Sequence, residues 1–281
     1  MSDTFDIPHL CADFLDNKIP YQQLIRSICE YDGWIVPAYA TEQDSEEAPT
    51  LAILQSSDGK TFLALFSSVA YLQEHLEKNN NHQETPFIKS RGDWILSGIP
   101  ESLSAIVINP GQESAVQFTQ ERFDMLRRWG IGISLEYMLE QDIKEEGSMR
   151  ALASYPLYYV PLFIAEDDSP NFALAPDDQN RTLIAVFTTE DNLNVYLEAA
   201  KKNISSKVQV QVMSGERLFT SIQNLPIDGI VINCLGPSKP HGLALQLLNM
   251  ALMTLQSHTS QSDEETTQVP ISDKPITEEE Q

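Results

Sequence analysis

The sequence predicts an α+β fold, sandwich-like, built as two tandem repeats, each a mixed sheet packed by helices. Three observations predict it. Apolar and turn motifs recur in the same order at offsets of 121 to 124 residues. Within each copy, strand-like apolar runs alternate with helix-like spacing, the pattern of helices packed on a sheet. The 281-residue length, with 42% hydrophobic and 21% charged residues, supplies apolar surface enough for a real core and excludes a wholly disordered chain.

The elements follow in order. WIVPAYATEQD from Trp34 matches YYVPLFIAEDD from Tyr158, with Pro37 on Pro161. Each reads as a strand (35–40 and 159–164), β-branched or aromatic with an early proline. Two apolar runs, 51–55 and 62–67, come next, joined by Ser-Ser-Asp-Gly, a strong hairpin signal. In the second copy the joint is Asp-Asp-Gln-Asn. GKTFLALFSS from Gly59 matches NRTLIAVFTT from Asn180, which places Phe66 on Phe187. A helix follows, capped by Ser68 or Thr189, with Leu72 and Leu76, or Leu193 and Leu197, four apart on one face. Then come a strand (86–89; 208–212), a short helix (93–98; 215–224), the buried strand AIVIN or GIVIN, and a closing helix. Trp94 has no tryptophan opposite it, and this alignment sets Leu218 there.

Around the repeats, residues 1–29 read as an N-terminal helical extension split by Pro20. The repeats are expected at 30–128 and 153–255, joined by a linker helix over 129–152. Residues 256–281 hold seven acids and one lysine with few large apolar side chains, the composition of a disordered acidic tail.

The YVPLF strand, the Phe-Thr-Thr-Glu helix start and the GIVIN strand together resemble the SseB family of bacterial proteins. Its longer members carry an N-terminal and a C-terminal SseB domain in tandem. The resemblance spans roughly residues 30–255. Asn109-Pro110-Gly111 matches the family's turn after the buried strand, whereas the second copy departs from it with Asn233-Cys234-Leu235-Gly236-Pro237. The resemblance implies a bacterial cytoplasmic protein encoded near secretion or toxin systems. It brings no catalytic residues with it.

The chemistry-bearing residues exclude more than they assert. The net charge of −23 and pI of 4.4 argue against a nucleic-acid partner. The three cysteines are scattered without a CxxC, and the N-terminus has no basic stretch ahead of an apolar one. Both favour a reducing, cytoplasmic setting with no membrane segment. No nucleophile elbow, phosphate loop or zinc-ligand spacing is present, so no catalytic or metal residue and no cofactor is assigned. Arg91-Gly92-Asp93 is a chance RGD, and His75 is expected on the surface.

The candidate partner-binding residues are the acidic loops and the strand ends. They are Glu42, Asp44, Glu46 and Glu47 in the first copy, Glu166, Asp167 and Asp168 in the second, the equivalent Asn109 and Asn233, and His241 in a Gly/Pro-rich loop. Clustered carboxylates set up a field that steers a basic protein partner. Strand-end loops on a rigid scaffold are common binding surfaces, although an Asn there also serves a purely structural Asx turn. The expected function is a non-enzymatic interaction or adaptor protein linked to a secretion or toxin system. The alternatives are an immunity protein that neutralises a basic toxin, and a small enzyme with a cleft between the repeats. The oligomeric state stays open.

Overall fold

The computed structural model describes residues 6–39, 50–56, 58–79, 85–141, 145–175, 177–201 and 207–265, with side chains described as far as residue 257. The fold is α+β, as expected. Helix α1 (Ile7–Leu15) is capped by Asp6, whose carboxylate accepts from the His9 N–H, and α2 (Tyr21–Glu30) begins after Pro20. There follow β1 (Trp34–Pro37), β2 (Leu54–Gln55), β3 (Thr61–Leu65), α3 (Val69–Lys78), β4 (Phe87–Ser90), α4 (Gly92–Ser97), β5 (Ala105–Ile108) and β6 (Val116–Thr119). A 3₁₀ turn leads into α5 (Phe123–Leu139). The second half runs α6 (Glu146–Ser154), β7 (Tyr158–Ile164), β8 (Pro170–Phe172), β9 (Leu183–Val186), α7 (Glu190–Lys201), β10 (Lys207–Met213), α8 (Gly215–Ile222), β11 (Gly229–Ile232), β12 (His241–Ala244) and α9 (Leu245–Glu265).

Strands pair in the order β2-β3-β5-β6 in the first half and β12-β11-β9 in the second. The pairs β3–β5 and β9–β11 are parallel and their other neighbours antiparallel, so both sheets are mixed. Smaller sheets, β1-β4 and β10-β7-β8, are tied to these by the bridges Ile35–Phe66 and Tyr159–Phe187. Asp58-Gly59 turns the β2–β3 hairpin, with Gly59 at φ +84° where a side chain would be strained.

The two halves repeat hydrogen bonds as well as elements. The Tyr31 hydroxyl donates to the Ser67 carbonyl, and Tyr155 donates to that of Thr188. Trp34 donates from its indole to the Ile28 carbonyl, and Tyr158 from its hydroxyl to Leu152. A Cβ on Gly92 would lie 1.8 Å from the Ile28 carbonyl oxygen, and one on Gly215 2.3 Å from that of Leu152. Glycine is thus required where α4 approaches α2 and α8 approaches α6. Asn109 and Asn233 each follow an inner strand, at φ +45° and +58°.

These matches shift several expectations. Helix α2 is the counterpart of α6, so it is part of the repeated unit rather than an extension outside it. The expected linker helix is two helices. Of these, α5 has Phe123, Leu126, Trp129 and Ile133 in the first core and Leu135 and Leu139 in the second. Helix α9 continues to Glu265, into the segment expected as a disordered tail from residue 256; residues 266–281 lie outside the described residues. Gly92 on Gly215 sets Arg217, not Leu218, opposite Trp94. Each half also buries a second, smaller cluster on the other side of its sheet, around Phe66 and Leu72 or Phe187 and Leu193. Burying each such Phe is worth about 1.5–3 kcal/mol.

Candidate functional site

Asn109 and Asn233, expected at a binding surface, are fully buried. The Asn109 side-chain oxygen accepts from the Ser67 N–H and its amide donates to the Ser67 hydroxyl. Asn233 does the same with Thr188. Each ties its strand end to the neighbouring one, a structural use of the left-handed Asn. The loops they launch do border clefts. Gly111 to Ser114 line one of about 790 Å³ beside α1 and α3, and Pro237 to Lys239 line one of about 370 Å³ between the halves.

The second cleft opens over a buried polar cluster that joins the halves. Arg26 projects from α2, with its side chain only 11% exposed. It donates to Glu30 at 2.9 Å, Glu136 at 3.0 Å, Thr189 at 3.1 Å and both oxygens of Asp191. Glu136, on α5, is engaged through both oxygens. One accepts from Thr188, Asn192 and Asn233, the other from Arg26 and from Ser238 at 2.6 Å. Burial disfavours the charged Arg26, but the hydrogen bonds and charges of Asp191 and Glu136 outweigh it and raise its pKa. Burial likewise pushes the Glu30 carboxyl upward against the pull of Arg26. The chain approaches closely here: a Cβ on Gly132 would meet Thr189 at 2.8 Å, and one on Gly236 the Asn192 side-chain oxygen at 2.0 Å.

Glu30, Arg91, Glu136, Tyr137, Lys239 and His241 line the cleft. His241 is half-buried at the first position of β12 rather than in a loop, and burial together with Lys239 lowers its pKa. Arg91 stacks on Tyr137 at 3.8 Å and pairs with the buried Asp93, so the RGD triplet is an internal ion pair at the start of α4.

Glu166, Asp167 and Asp168 form the exposed β7–β8 turn. Asp167 accepts from the Ser169 N–H and hydroxyl, and Asp168 sits at φ +62°. Glu42, Asp44, Glu46 and Glu47 lie outside the described residues. Trp94 is 54% exposed on α4, whose Gly92, Asp93, Ile95 and Leu96 are buried. His75 is half-buried against Phe66 rather than on the surface. Burial pushes the Cys11 and Cys234 thiols up to about 12 and Cys29 well above its ordinary value, so these thiols are poor nucleophiles. Among the described residues no cluster of three His, Cys, Asp or Glu is placed to hold a metal ion. No described helix is long and apolar enough to cross a membrane.

Arg26 and Glu136 were missed in the sequence, although a signal existed. Leu126, Trp129, Ile133 and Glu136 fall on one helical stripe, and a charge on an apolar stripe needs a buried partner.

No curated protein matches the chain. A solved structure of Anabaena Tic22 (protein transport) is similar at 11% identity and a TM-score of 0.22, covering 90% of this chain and 100% of that one. Residues 27–123 match the model of the SseB protein N-terminal domain.

Proposed function

We propose that the protein is a non-enzymatic interaction or adaptor protein of two SseB-like units, serving a bacterial secretion or toxin system and binding a basic protein. The observation that carries the reading is Trp94. Its helix is anchored by four buried residues, so a large aromatic is held rigidly in water. Tryptophan is among the side chains enriched at the energetic hot spots near the centre of protein interfaces. The match of residues 27–123 supports the SseB assignment of the first unit. The net charge of −23 supports a basic partner, and the exposed turn of Glu166, Asp167 and Asp168 supplies steering charge at a rim.

Capture from lysate of the source cells tests this, with wild type, Trp94→Ala and Glu166→Gln/Asp167→Asn/Asp168→Asn as baits. The expected result is one protein retained by wild type, lost with Trp94→Ala, and bound more slowly by the charge variant, with rates that fall as salt rises. Capture indifferent to both variants and to salt would overturn the reading.

The cleft beside His241 favours a second reading, a small-ligand or enzymatic site between the halves. Against it stands Glu136, whose oxygens are all committed to Arg26, Ser238 and the strand-end side chains. An immunity role predicts the same basic partner, and is distinguished by whether the captured protein is a toxin that the chain inhibits.

A further inference from the structure

We propose that the outer edge of β10 pairs antiparallel with β10 of a second copy of this chain, joining two three-stranded sheets into one across a two-fold axis. Strand β10 is an edge strand: among the described residues only β7 pairs with it. The direction of its free hydrogen-bonding groups follows from β7. The Pro161 carbonyl accepts from the Ala173 N–H on the β8 side, and Tyr159 exchanges both backbone bonds with Phe187 on the same side. These odd-numbered residues point away from β10, so their partners Val208, Val210 and Val212 aim their N–H and C=O groups outward, because opposed residues of an antiparallel pair alternate in this way.

That edge is self-complementary. With Val210 opposite Val210 of the other copy, Val208 faces Val212 and Gln209 faces Gln211. The three valine pairs each exchange two backbone bonds. Valines meet valines on one face and glutamines meet glutamines on the other, which are favourable cross-strand pairs. The one charge, Lys207, falls opposite Met213, so no like charges meet. Val210 and Val212 are 37% and 49% exposed, which leaves apolar surface for such a partner to cover.

The equivalent edge in the first half is blunted. Strand β4 has four residues to the seven of β10, follows Pro86 and carries Lys89 in its middle. Short length, proline and lysine are the usual devices against edge pairing, and β10 has none of them within Val208–Met213. This interface is separate from the Trp94 surface and does not depend on the partner proposed above.

The test uses the full chain. Sedimentation velocity from low to high micromolar concentration is expected to show a monomer–dimer equilibrium that Val210→Lys weakens by roughly tenfold or more, since it sets two lysines face to face. Val210→Cys tests the register without disturbing the edge. Position 210 lies about 5.5 Å from itself across the axis, within disulfide reach. Position 212 lies about 14 Å from itself, four residues along the strand and one strand across. Copper-catalysed oxidation is expected to crosslink Val210→Cys into dimers and to leave Val212→Cys monomeric. A monomer at every concentration, a dimer unaffected by Val210→Lys, or preferential crosslinking at 212 would each overturn the proposal.

Discussion

The first half ends its inner strand in a small closed bond, Asn109 to Ser67, whereas the second half ends its own in a network that reaches across the molecule. Asn233 and Thr188 repeat the Asn109–Ser67 geometry, but both also bond Glu136, which in turn holds Arg26 of the first half. The position equivalent to Arg26 in the second half is Arg150 on α6, and it is exposed. The same fold position is therefore a solvated surface charge in one half and a buried connector in the other. A repeated unit keeps its internal bonds, while its junction residues diverge.

The largest effect expected to break this comparison is at Arg26. Arg26→Met leaves Glu30, Glu136 and Asp191 without their shared cation and should cost about 3–5 kcal/mol, the range for breaking a buried ion pair from one side. Arg150→Met should stay within about 0.5 kcal/mol, as for an ordinary surface change. Urea unfolding of the two variants measures the difference; equal costs would erase the distinction between the halves.

Next in size is the pair of strand-end asparagines. Each Ala substitution loses the left-handed conformer that Asn tolerates and strands a buried partner, for about 2 kcal/mol. Asn233→Ala should exceed Asn109→Ala by about 1 kcal/mol or more, because Glu136 then loses a donor as well. Trp94→Ala should leave stability within about 0.5 kcal/mol. Trp129→Ala, 4% exposed on α5, should cost about 3–5 kcal/mol.

The smallest effect is a pH dependence at His75. Burial lowers its pKa, and the neutral ring contacts the Pro110 carbonyl through Nδ1 at 3.2 Å. Between that lowered value and the unfolded value of about 6.5, the unfolded chain binds a proton that the folded chain does not. Stability therefore rises with pH across this window and falls on acidification through it. His75→Gln should flatten that slope between neutral and mildly acidic pH in urea titrations.

The order of elements, the paired apolar positions and the Asp-Gly hairpin were legible in the sequence, because strand and helix periodicity and turn chemistry are local. Asn109 and Asn233 were legible as equivalents. Their burial was not, since an Asn after a buried strand has the same sequence context whether its side chain faces water or a neighbouring strand. The Arg26 cluster was hidden because its members come from α2, α5, the start of α7 and the loop after β11, a meeting fixed only by tertiary packing. The one-residue slip that set Leu218 against Trp94 has a local cause: glycine anchors the short helix at Gly92 and Gly215, and apolar matching alone ignores that constraint.

Arg26 joins two similar halves through Glu136 and Asp191, and this junction should make them one cooperative body. All three tryptophans, Trp34, Trp94 and Trp129, lie in the first half or on α5 beside it, so indole fluorescence reports that half while far-ultraviolet circular dichroism reports both. In urea, wild-type protein should give coincident transitions by the two probes, as a two-state unit does, and Arg26→Met should separate them. Transitions already separate in wild type, or still coincident in Arg26→Met, would contradict the claim.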